Sequence, residues 1–241
     1  MKIIEKIKNK QSDLQSNEPI TIAFLGDSVT QGCHECYIKS NGHLETIFDY
    51  NSAYSTRLRE LLNFLYPNVQ INIINSGISG DNATSAANRI KRDVLRYCPD
   101  LVVVSFGLND CGAGLDNLDN YANALREIFK QIKESGAECI FLTQNYMATK
   151  VSCHIKDEFF VNLARQLSEI QNSGVLKKYF EKAKEVCSDM SVDVCDLYEV
   201  WEKLEKAEVD VTELLSNKMN HPVKEYHYYI AIKLLEKIIE V

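Results

Sequence analysis

The chain has little that breaks a backbone: four prolines and ten glycines among 241 residues. With no internal repeat, low-complexity tract or Pro/Gly/Ser-rich linker, that scarcity gives no reason to divide residues 1–241, and one domain is expected. No uninterrupted apolar run approaches the ~18 residues needed to span a bilayer, so no membrane-embedded helix is expected. An excess of basic charge is also missing. Lys+Arg number 27 against 34 Asp+Glu, a net charge of −7. Without a basic stripe, nucleic acid and anionic membrane are not expected partners. The N-terminal segment MKIIEKIKNKQSD turns polar within a few residues and lacks the apolar stretch of a signal peptide. The expected compartment is therefore the cytoplasm. The single tryptophan, Trp201, falls in a helix start after the last apolar run, where it reads as a packing residue.

What is present is the composition of a folded globular protein, with 45% hydrophobic and 25% charged residues. Eight cysteines are spread too thinly for a disulfide scaffold. Cys139 and Cys195 lie inside apolar runs and read as buried thiols. Cys33 and Cys36, in Cys33-His34-Glu35-Cys36, have the spacing of a metal or redox pair. No second pair completes a zinc site, so no metal and no cofactor are expected. The polar stretch 33–52 and the later segment 146–157 are expected to be loops over a pocket.

Five β-branched-rich apolar runs recur: Ile20–Leu25, Val69–Ile74, Leu101–Phe106, Cys139–Leu142 and Val192–Leu197. They are continuous rather than alternating, as suits strands covered on both faces. Helical spacing lies between them, as in Tyr54, Leu58, Leu61, Leu62 and Leu65, in Tyr121, Leu125, Ile128, Phe129 and Ile132, and across Tyr226–Ile239. The pattern predicts an α/β fold: a three-layer sandwich with a five-stranded parallel sheet and helices on both faces. Ligands in such sheets bind beyond the carboxyl ends of the strands.

Chemistry-bearing residues stand at those ends. Gly26-Asp27-Ser28 follows the first run, with Ser28 either a helix cap or an exposed hydroxyl. Ser76-Gly77-Ile78-Ser79-Gly80 follows the second, where glycines allow close backbone approach and Asp81 or Asn82 could cap the next helix. Gly107-Leu108-Asn109-Asp110 follows the third. An Asn109 amide there could donate to a developing oxyanion, an interaction of about 3–4 kcal/mol in acyl transfer. Near the C-terminus, Asn220-His221-Pro222 precedes a helix. With Pro222 at its first position, His221 would sit near the cap, and the positive helix end would keep the imidazole neutral.

These four blocks, in this order, resemble those of the SGNH/GDSL hydrolase superfamily, and the resemblance runs from about residue 20 to the end. It implies a flavodoxin-like sheet and metal-free hydrolysis of small-molecule esters or thioesters. It implies that Ser28 is the nucleophile and His221 its base, with an oxyanion hole from the Ser28 and Gly80 N–H groups and the Asn109 amide. It implies a carboxylesterase or deacetylase, with an acylated carbohydrate as one substrate class. The alternatives are a thioesterase or lysophospholipase, or a non-catalytic binding member. One departure stands out. The superfamily places an aspartate three residues before the histidine, and here that residue is Lys218. Two arrangements compete: a backbone carbonyl near Asn217–Lys218 accepts from His221, leaving a dyad, or Asp196 at the end of the fifth run reaches the imidazole.

Overall fold

The computed structural model describes residues 1–240. In chain order the elements are α1 (Lys2–Ser12), β1 (Ile20–Gly26), α2 (Ser28–Gln31), β2 (Cys33–Ile38), β3 (Leu44–Phe48), α3 (Tyr54–Leu65), β4 (Ile71–Gly77), α4 (Ala83–Asp93), β5 (Leu101–Ser105), α5 (Leu118–Glu134), β6 (Glu138–Leu142), α6 (Glu158–Asn172), α7 (Val175–Asp189), β7 (Asp193–Cys195), α8 (Tyr198–Lys206) and α9 (Lys224–Ile239). The five expected strands form one parallel sheet in the order β4-β1-β5-β6-β7. The fold is the expected α/β class.

Burial explains the sequence pattern. All five residues of β5 are buried, and six of seven in β1, because both strands are central. Edge strand β4 is only partly buried and alternates with polar residues. α3 packs on α9, and α1 reaches α9. α4, α5 and α7 form a second packed group. The large buried aromatic residues include Phe24, Tyr54, Tyr121, Phe129, Phe141 and Trp201, the last fully enclosed as expected. α1 is tied down through Glu138, whose carboxylate accepts from Lys2 N at 2.9 Å and Ile3 N at 2.7 Å.

Three expectations need correction. Residues 33–48 contain an antiparallel hairpin, β2–β3, rather than a plain loop. Its β-branched and aromatic residues are diluted by charge because much of it faces solvent. The start of segment 146–157 is not a lid: Tyr146, Met147 and Ala148 are buried. α9 begins at Lys224 rather than Pro222, because Pro222 is bridged to Leu215 and cannot yet turn into the helix.

The strand order places the reversal of winding between β1 and β5. Loops leaving neighbouring strands diverge there and leave a crevice. The residues after β1, β4 and β5 all reach it.

Candidate active site

Gly26 ends β1, and its role is close packing rather than a sharp turn. A Cβ there would stand 2.0 Å from Thr30 Oγ1 and 2.9 Å from the Ser105 carbonyl. α2 therefore starts hard against the sheet. Asp27 is its cap, accepting from Val29 N at 3.0 Å, and Ser28 is its first residue. An N–H in that position has no helical carbonyl behind it and is free to serve a ligand. At the next turn, Gly80 has φ +79, a backbone state glycine adopts without strain. Asn82 caps α4, accepting from Ser85 N at 3.0 Å. Asn109 Nδ2 donates to the Asp81 carbonyl at 2.8 Å and lies 3.5 Å from Asp27 Oδ2. That holds the amide beside the Gly80 turn.

His221 arrives from the far end of the sequence. Its Nε2 lies 2.9 Å from Ser28 Oγ, although 193 positions separate the two residues. Both side chains are buried. Burial, with a smaller contribution from His34, pushes the His221 imidazole down to about 4, so it is neutral at pH 7. The positive end of a helix is not the cause, since α9 starts three residues later.

Neither expected partner holds the second imidazole nitrogen. Asp196 is engaged elsewhere, accepting from Thr143 Oγ1 at 2.9 Å, Lys184 Nζ at 2.8 Å and Glu199 N at 3.1 Å. Lys218 turns away to Glu213, whose carbonyl and carboxylate lie 3.0 and 2.9 Å from its Nζ. Among the described residues, no backbone carbonyl takes the place either. Instead the side-chain amide of Asn217 faces Nδ1, with Nδ2 at 3.0 Å. Asn217 Oδ1 accepts from the backbone N–H groups of Met219, Asn220 and His221, each at 3.0 Å. This is an Asx turn, and the propensity of asparagine for it was the available sequence signal.

A buried polar shelf after β6 braces both halves. Gln144 donates to Asp27 Oδ2 at 2.8 Å and accepts from Leu108 N at 2.9 Å. Asn145 Nδ2 donates to the Asn220 carbonyl at 2.8 Å, and Ala148 N donates to the Met219 carbonyl at 2.7 Å. The histidine loop therefore hangs from β6. Burial pushes the Asp27 carboxyl up to about 7, against the pull of its Gln144 and Val29 donors. Asp110 is raised to about 6 by the same cause.

Cys33 and Cys36 lie on β2. Among the described residues, no group of three or more His, Cys, Asp or Glu could hold a metal ion. His34 is buried edge-on to His227, with ring centroids 4.9 Å apart, and its carbonyl accepts from Ser216 Oγ. The hairpin thereby anchors the histidine loop. No helix among the described residues is long and apolar enough to cross a membrane.

A serine hydroxyl hydrogen-bonded to a neutral imidazole, at the start of a helix and beside a held asparagine amide, is the equipment of acyl transfer. An acetylxylan esterase of Geobacillus stearothermophilus is 27% identical over 135 residues, 52% of this chain and 60% of that protein. The chain thus aligns with under two thirds of that relative's length. The crystal structure of an acetyl xylan esterase superposes with a TM-score of 0.67 at 19% identity, covering 91% of this chain and all of that one. A gut microbial diltiazem-metabolizing enzyme gives a TM-score of 0.67 at 18% identity, covering 91% of this chain and 46% of that one. The profile of the GDSL-like Lipase/Acylhydrolase family matches residues 24–227, a span that includes every block from Ser28 to His221. By that match the chain belongs to the GDSL-like lipase/acylhydrolase family.

Proposed function

We propose that this protein is an esterase that removes small acyl groups, acetyl foremost, from a carbohydrate. Ser28 attacks the ester carbonyl. The Ser28 and Gly80 N–H groups and the Asn109 amide receive the oxyanion. His221 takes the serine proton and passes it to the leaving alcohol, and water then releases the acid by the same route in reverse. The observation that carries the reading is the 2.9 Å contact between Ser28 Oγ and His221 Nε2.

The substrate class rests on the surroundings. A cleft of about 420 Å³ adjoins Asn109 and is lined chiefly by neutral polar side chains: Asn82, Thr84, Ser85, Asn88 and Asn117. Amides and hydroxyls of this kind pair with sugar hydroxyls and give a long acyl chain nothing to bury against. The relatives described as acetylxylan esterases support the same class.

A longer-chain acylhydrolase is a second reading. It is favoured by an apolar groove of about 360 Å³ between α8 and α9, reaching Val223, two residues from His221. Activity on p-nitrophenyl acetate, octanoate and palmitate, beside acetylated xylo-oligosaccharides, separates the two. Acetyl preference and loss of activity in Ser28→Ala are expected. Full activity in that variant would remove the serine mechanism, and a palmitate preference would select the second reading.

A further inference from the structure

We propose that Asn217 is a positioning residue that holds His221 in the tautomer unable to accept the serine proton, so that the Ser28–His221 pair is kept at rest. This rests on the reading of His221 as the base for Ser28.

The orientation of the Asn217 amide is decided by its neighbours. Three backbone N–H donors converge on one end of it, from Met219, Asn220 and His221. Only the oxygen can accept them. The other end must then be NH2. Its two hydrogens have two acceptors, Asn220 Oδ1 at 3.0 Å and His221 Nδ1 at 3.0 Å. A neutral imidazole that accepts at Nδ1 carries its proton on Nε2. Burial keeps the ring neutral at pH 7, so the doubly protonated form does not compete.

The consequence falls on Ser28. With hydrogen on Nε2, the 2.9 Å contact runs from the imidazole to the hydroxyl oxygen. Nε2 then has no lone pair with which to take the Oγ proton. Turnover requires the other tautomer, with Nδ1–H and a bare Nε2. That form would aim Nδ1–H at the Asn217 NH2, and turning the amide would strip three backbone N–H groups of their acceptor. An aspartate at 217 would reverse the preference. One carboxylate oxygen would keep the three N–H bonds and the other would accept from Nδ1–H. The Asn220 amide need only turn over to donate to it. In a serine protease triad, exchanging the aspartate for asparagine costs about 10⁴ in kcat by this tautomer effect.

The first test uses the unaltered chain. ¹⁵N-histidine-labelled protein is examined by long-range ¹H–¹⁵N correlation at pH 7, with His221 assigned by its absence in His221→Gln. A protonated Nε2 and a bare Nδ1 are expected, and a protonated Nδ1 overturns the proposal. The second test is Asn217→Asp. Its kcat/KM on p-nitrophenyl acetate should rise at least ~10-fold. The acid limb of its pH profile should move up, because a carboxylate favours the charged imidazolium. A folded Asn217→Asp protein that labels normally with a fluorophosphonate, yet is no faster than the parent, overturns the proposal. Failure of the serine reading shows separately, as activity retained in Ser28→Ala, and the tautomer measurement is independent of that result.

Discussion

Arg89 and Asp81 form a buried ion pair, 2.6 Å from Nη2 to the carboxylate, directly behind the turn that presents Gly80. The same guanidinium donates from Nη1 to the Ser76 carbonyl at 2.8 Å and from Nη2 to the Gly26 carbonyl at 3.1 Å. One side chain thus joins the ends of β4 and β1 to the loop between β4 and α4. Arg89→Leu would leave the Asp81 carboxylate buried without its partner, a loss of about 3–5 kcal/mol. Urea unfolding should show that drop as a lower midpoint with the slope preserved. An Arg89→Leu protein as stable as the parent would mean that the pair is not a determinant of this loop.

Asn109 should act in the transition state more than in binding. Its amide is held by the Asp81 carbonyl, so it is already in place when an oxyanion forms. Asn109→Ala should lower kcat by about 10²–10³ with little change in KM. Steady-state kinetics on p-nitrophenyl acetate measures both. A raised KM at unchanged kcat would assign Asn109 to ground-state binding instead.

The fold was legible because burial on two faces leaves a plain mark. Leu101–Ser105 is apolar but for its last residue, since no side of β5 meets water. Hairpin β2–β3 escaped notice for the opposite reason, its residues 33–48 being half solvated and charged. Ser28, Gly80, Asn109 and His221 can be nominated from the sequence because each stands beside an identifiable element, and the fold brings Ser28 and His221 into contact. The polar residues that hold them cannot be so nominated. Gln144 and Asn145 follow β6 as ordinary neutral amides, and only the folded chain shows them bonded to Asp27 and to the Asn220 carbonyl. Asn217 reads in the sequence as an ordinary turn former, and only the folded chain places its amide against the imidazole. Arg89 looks like a helical surface residue until four acceptors, from Asp81, Ser76, Gly26 and Asp93, converge on it.

Acid stability divides between two sets of buried groups. His221 and His227 are held at about 4 and about 3 by burial, below the ordinary 6.5 of histidine. Between those values and 6.5 the unfolded chain binds the extra protons, so their contribution is complete above 6.5 and is lost as pH falls toward 4. Asp110 has the opposite sign. Burial raises it from 3.8 to about 6, so the folded chain binds the extra proton in that window and stability declines as pH rises through it. Asp110→Asn removes this decline, and the Asn82–Ala83 end of α4 keeps its acceptor, since Oδ1 takes the Ala83 N–H at 2.9 Å. Relative to the parent, the variant should gain on the order of 1–3 kcal/mol between pH 4 and pH 7. Urea titrations at those two pH values test it, and a pH-independent difference would contradict the raised carboxyl.

The cleft beside Asn109 gives the sharpest test of the sugar assignment. Ser85 stands on the exposed side of the first turn of α4, and only its backbone N–H is used by the Asn82 cap. Ser85→Trp can therefore fill the cleft without removing a cap or a core contact. An acetyl group on a small phenol needs only the space over Ser28, whereas an acetylated xylo-oligosaccharide must lay a ring alongside Asn109. The ratio of kcat/KM for the oligosaccharide to that for p-nitrophenyl acetate should fall at least ~10-fold, about 1.4 kcal/mol of lost discrimination. Most of the change should lie in the KM for the oligosaccharide, because the blocked contacts are to parts of the substrate remote from the reacting carbonyl. If both substrates slow together, the tryptophan has disturbed the Asn82–Asn109 neighbourhood. An unchanged ratio would place the sugar outside this cleft.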